Sequence, residues 1–140
     1  MKDKQKLQTE LMVLCDYGTI SKEGKISAIG IFEELYNFQP PIVLNKGFIV
    51  ATVSGTPNTN YQITLKAEHG AKNENLLPNL ETNIQTSPNG RANLIIELQG
   101  VTFPHPGEYS FKLYSDGKEI GEKELKVVRV KKEEQPKMPN

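Results

Sequence analysis

The chain has no tryptophan, one cysteine, two histidines and three aspartates among its 140 residues. Each scarcity removes a class of chemistry. With Cys15 alone, no disulfide can close within the chain, which suits a reducing compartment. His69 and His105 lie far apart, and neither has another His, Cys or acid at ligand spacing, so no metal site is expected. Asp3, Asp16 and Asp116 stand in three separate places, which excludes the clustered loop aspartates of a calcium site. Carbohydrate-binding sandwiches commonly present tryptophan platforms, and none is available here. Net charge is also missing, because 17 basic residues balance 17 acidic ones. A nucleic-acid binder carries a basic excess, so no nucleic-acid partner is expected.

Long apolar runs are absent too. The run after the charged N-terminus, "LMVLC" (11–15), is far shorter than the about 7–15 residues of a secretory signal or the roughly 20 of a membrane helix. The expectation is a cytoplasmic protein with no membrane partner. Neither GxGxxG nor GxxxxGK[ST] occurs, so no phosphate-cradling loop and no cofactor are expected.

What the chain does have is apolar residues at every second position, the mark of half-buried strands. "YQITLKAE" (61–68) sends Tyr61, Ile63, Leu65 and Ala67 to one face. "ANLIIELQ" (92–99) does so with Ala92, Leu94, Ile96 and Leu98, and "YSFKL" (109–113) with Tyr109, Phe111 and Leu113. "LMVLC" (11–15), "ISAIGIF" (26–32) and "FIVATV" (48–53) are apolar on both faces and read as central or doubly covered strands. "LETNIQ" (80–85) is a weaker strand, and "KELKVVRV" (123–130) closes the ordered region. "SKEGK" (21–25), "SPNGR" (87–91) and "SDGK" (115–118) are turn sequences. Ile120 and Leu125 differ in parity, which predicts a bulge near Gly121. Residues 68–81 fit either a long loop or a short helical turn. The domain organisation is a flexible N-terminus (1–8), one β domain (9–130) and a disordered charged tail (131–140).

This spacing of strands predicts an all-β, immunoglobulin-like sandwich of two antiparallel sheets with about seven to nine strands. "PGEYSF" (106–111) fits its tyrosine corner, with the Tyr109 hydroxyl anchoring a loop. "LCDYGTISKEGKISAIGIFEEL" (14–35), "PPIVLNKGFIVATVSG" (40–55) and "PGEYSFKLYSDGKEIGEKELKV" (106–127) together resemble a family of small bacterial immunoglobulin-like sandwich proteins with no assigned function. The resemblance covers most of residues 11–128. It implies a bacterial, stand-alone β domain and transfers no catalytic residue.

Candidate sites reduce mainly to architecture. Cys15 lies in an apolar strand, where a thiol behaves as a small hydrophobe. His105 sits between Pro104 and Pro106 in a rigid loop. Glu33 and Glu34 would point to opposite faces of a strand, and Glu122 and Glu124 sit among Lys123 and Lys126. Asp16 at a strand end fits a bond to loop amides. Tyr17, Tyr36, Phe38 and Tyr114 are the candidates for exposed aromatics, and Tyr36 and Phe38 are the best apolar surface pair among them, although a core or loop-anchoring role fits that pair better. The leading reading is a non-catalytic binding module with a protein partner, monomeric or weakly dimeric, with no catalytic, cofactor or metal residue assigned. The alternatives are an enzyme whose site forms only in three dimensions and a structural subunit that assembles through sheet edges.

Overall fold

The computed structural model describes residues 4–37, 41–70 and 74–130. The expected disordered tail, Asp3 and Phe38 lie outside them. Ten strands are present among the described residues: β1 (Gln8–Ile20), β2 (Ile26–Phe32), β3 (Glu34–Asn37), β4 (Ile42–Ser54), β5 (Asn60–His69), β6 (Glu74–Asn75), β7 (Leu80–Gln85), β8 (Arg91–Phe103), β9 (Gly107–Ser115) and β10 (Lys118–Arg129). They exceed the expected seven to nine through pieces as short as β3 and β6, which are too brief to show a period.

One sheet has the order β2-β1-β4-β8, and the other β3-β10-β9-β5, with β6 and β7 both on β5. The pairings β1·β4, β4·β8, β5·β9 and β9·β10 are those of an immunoglobulin sandwich. Neighbouring strands run antiparallel with one correction to expectation: β3 lies parallel to β10, from Glu34 beside Lys126 to Asn37 beside Arg129. The chain leaves β2 in the first sheet and enters β3 in the second almost at once, which fixes β3's direction. Among the described residues, no helix is long and apolar enough to cross a membrane.

The period of two is realised in the core. Tyr61, Ile63, Leu65 and Ala67 of β5 and Tyr109, Phe111 and Leu113 of β9 are buried against Leu14, Ile49, Ala51, Val53, Leu94 and Leu98 of the first sheet. Truncating a fully buried side chain such as Phe111 to alanine costs about 3–5 kcal/mol. The β9–β10 turn places Asp116 and Gly117 at φ 52 and 77, the paired positive values of a type I′ turn. The bulge falls between Glu119 and Gly121, as the parity change requires. Residues 74–75 form β6, while Leu76 and Leu77 pack on the core, so this part of 68–81 is neither plain loop nor helix.

The N-terminal segment departs from expectation. Leu7 is buried, the Gln5 N–H donates to Thr56 Oγ1 at 2.8 Å, and the Tyr61 hydroxyl donates to the Gln5 carbonyl at 2.8 Å. The packed body therefore begins near Gln5, ahead of residue 9. Leu7 satisfies a gap in the core that the charged residues around it conceal in the sequence.

Candidate functional site: the outer face of the β1–β2 hairpin

The first sheet buries apolar side chains on both faces. Ile49, Ala51 and Val53 of β4 point into the sandwich. Phe48 and Val50 point the other way, yet Val50 is fully buried and Phe48 nearly so. The cover is the β1–β2 hairpin. β1 pairs with β4 only as far as Cys15 opposite Phe48, and from there pairs with β2 alone. It then turns back over the sheet, because a Cβ built on Gly18 would lie 2.5 Å from Val50 Cγ2. The hairpin tip reaches β8, where Asn93 Nδ2 donates to the Gly24 carbonyl at 3.2 Å. Ile26 and Ala28 face down onto Cys15, Phe48 and Val50. The hairpin is thus a third layer.

This layer accounts for "CDYG" and "IGIF". Cys15 lies at the crease, fully buried, with its thiol 3.4 Å from the Tyr17 carbonyl, and burial pushes its pKa up. Gly18 permits the close approach to Val50. Gly30, at φ +71, stands opposite Asp16 in the register; a Cβ there would fall 2.4 Å from the Asp16 carboxylate. Asp16 therefore rests on Gly30 at the surface, a structural position.

The correction concerns "ISAIGIF". It is the edge strand β2, and Ile29 and Ile31 are 60% and 57% exposed. Tyr17, directly opposite Ile29, is about half exposed and sits edge-on to Phe48 with ring centroids 5.4 Å apart. Tyr17, Ile29 and Ile31 make a contiguous outward apolar surface, and β2 contains no charged residue. An uncharged edge strand with exposed isoleucines lacks the usual protection against pairing. Gly30 inside the strand signals an irregularity or a close approach, here that of Asp16, and nothing in the apolar pattern of β2 marks it as an edge.

The outer face of the other sheet is charged. Lys112 lies 3.3 Å from Glu68, 3.9 Å from Glu119 and 3.8 Å from Glu122, and Lys66 stands over the Tyr114 ring at 4.7 Å. Glu33 and Glu34 border one cleft but take different partners: Glu33 accepts from Lys123 at 2.7 Å, which lowers its pKa, and Glu34 accepts from the Tyr36 hydroxyl. Tyr36 is about half exposed.

The two histidines, distant in sequence, meet at the end of the sandwich. Their ring centroids are 6.3 Å apart, and His69 stands edge-on to Tyr109 at 4.6 Å. His69 is buried and neither ring nitrogen has a hydrogen-bond partner. The Tyr109 hydroxyl donates to the His105 carbonyl at 2.5 Å and accepts from the His105 N–H at 3.2 Å. This is the expected corner. The cavity beside His105, walled by Ile42, Phe103 and Val127, measures about 10 Å³, about the room one water needs. Among the described residues, no group of three or more His, Cys, Asp or Glu is placed to hold a metal.

The sequence model of a family of unknown function, DUF6941, matches residues 10–128. No curated protein matches the chain. Among solved structures, the chain is similar to part of the alkylpurine DNA glycosylase AlkC of Pseudomonas fluorescens, bound to DNA containing an abasic site analogue. The TM-score is 0.56 at 6% identity, over 87% of this chain and 30% of that one. It is similar to part of a β-glucosidase from Listeria innocua, with a TM-score of 0.51 at 9% identity over 88% of this chain and 16% of that one. An immunoglobulin-like protein from Pseudomonas aeruginosa aligns over 88% of this chain and 97% of its own, with a TM-score of 0.45 at 11% identity. The chain spans less than a third of the first two proteins, and at these identities the likeness is one of fold alone.

Proposed function

The chain belongs to DUF6941, a family of unknown function, and we infer that it is a non-catalytic binding module that docks a protein partner. The observation that carries this reading is the outward surface of the β1–β2 hairpin, where Tyr17, Ile29 and Ile31 face solvent around an uncharged edge strand. Exposed apolar side chains grouped on one face of an otherwise charged protein favour a partner that buries them. The charge balance favours a protein over nucleic acid. The proposed setting is the bacterial cytoplasm, supported by a lone cysteine held reduced in a buried crease. The proposed state is a monomer or weak dimer, supported by β4, whose apolar faces are both covered within the chain. A non-catalytic role is favoured at the two histidines as well, since they surround a packed tyrosine corner beside a cavity of water size.

A photo-crosslinking amino acid placed at Ile31, and separately at Lys66 on the charged face, tests the reading in the native host. The expected result is a discrete protein adduct from position 31 that Ile29→Lys suppresses, with none from position 66. Equal adducts from both positions, or none from 31, would remove the hairpin as the docking surface.

A further inference from the structure

The sandwich is open along one side. Among the described residues, β8 is an edge of the first sheet and pairs only with β4, while β7 is an edge of the second and pairs only with β5. The two edges border one cleft of about 410 Å³. Ile63, Leu65, Ile84, Leu94 and Ile96 line it, and its charged lining residues are Glu81 and Glu97. Glu97 lies 3.4 Å from Lys46, whereas among the described residues Glu81 meets the Gln62 amide, at 3.4 Å, and no cation. β8 runs for 13 residues, more than twice the length of the six-residue β7 beside it.

We propose that this cleft binds an extended segment of a partner protein by strand addition to β8, and that the segment alternates apolar with basic side chains. The free N–H and C=O groups along β8 specify an extended chain, since a helix satisfies its own backbone and leaves those groups unmet. The cleft runs from Asn93 to Glu97 on β8 and from Leu80 to Ile84 on β7, a length of roughly 16 Å for five extended residues. Alternate side chains of an added strand enter the apolar floor. The others face the rim, where Glu81, without a cation partner among the described residues, favours lysine or arginine. The cleft meets the hairpin tip at Asn93, but none of Tyr17, Ile29 and Ile31 lines it, so the proposal does not rest on the outward hairpin surface.

The test uses the full chain. A displayed library of random nine-residue peptides is selected against it, and enriched peptides are studied by hydrogen exchange. The expected peptides alternate apolar and basic residues and slow exchange of the β8 amides that β4 leaves free, within 92–98. Glu81→Lys, an exposed substitution, weakens them about tenfold, the cost of replacing a modest surface attraction by repulsion. Failure to enrich any peptide, enrichment of acidic peptides, or protection confined to β2 would overturn the proposal. Protection of β8 that instead rises with protein concentration alone would assign the edge to a second copy of this chain and overturn it equally.

Discussion

Tyr109→Phe isolates one hydroxyl. Tyr109 is fully buried, and its ring lies edge-on to Phe103 at 5.0 Å and to His69 at 4.6 Å. Phenylalanine keeps both contacts. What goes is a pair of hydrogen bonds to the carbonyl and N–H of His105. A typical net hydrogen bond contributes about 1 kcal/mol, and a buried group left unpaired costs about 1–3 kcal/mol. The His105 side chain is exposed, so water can reach part of this loop and the larger figure does not apply. The expected loss is about 2 kcal/mol. With a urea m-value of about 1.5–2 kcal/mol/M for a domain of this size, the midpoint falls by roughly 1 M and the slope stays constant. The assay is equilibrium unfolding in urea followed by circular dichroism, with exchange of the His105 amide as a local readout. An unchanged midpoint with an unchanged slope would refute the corner as a stabilising device.

Gly18→Ala drives a methyl to 2.5 Å from the fully buried Val50, and overpacking of this kind costs about 1–3 kcal/mol; a wild-type urea midpoint would mean that the hairpin does not lie on the sheet. Cys15 has a raised pKa because burial opposes the thiolate. The folded state then holds the proton more tightly than the unfolded one, so stability falls as pH rises past the ordinary thiol value of about 8.5. Cys15→Ala should flatten that alkaline decline, and a decline of equal slope in the variant would contradict it; the raised pKa of Tyr109 adds a separate loss nearer its own titration. The same burial predicts that the native thiol resists a disulfide reagent at pH 8 until guanidinium is added, and prompt labelling of the folded protein would place Cys15 outside the crease.

Local patterns carried much of the architecture. Alternation in β5 and β9 placed Tyr61, Ile63, Leu65, Tyr109, Phe111 and Leu113 inside, and all six are buried. Asp116-Gly117 marked a tight hairpin, the parity change after Ile120 marked the bulge, and Gly107-Glu108-Tyr109 marked the corner. Each depends on side chains and dihedral preferences within a few residues, which is the range over which a sequence states its own constraints. The candidate site was not legible in this way. "ISAIGIF" and "FIVATV" are both apolar on alternate and intervening positions, yet β4 is central while β2 is an edge with two exposed isoleucines. Apolar periodicity does not say what covers a face: a second sheet, a hairpin folded back from the same strand, or a partner. Here Gly18 lets β1 return across Val50, and that return covers Phe48 while it turns Ile29 and Ile31 outward. The meeting of His69 with His105, the docking of Leu7, and the cleft between β7 and β8 have the same origin. They join segments distant in sequence, the histidines through the pairing of β5 with β9 and the others through the stacking of the two sheets, so no local preference encodes them.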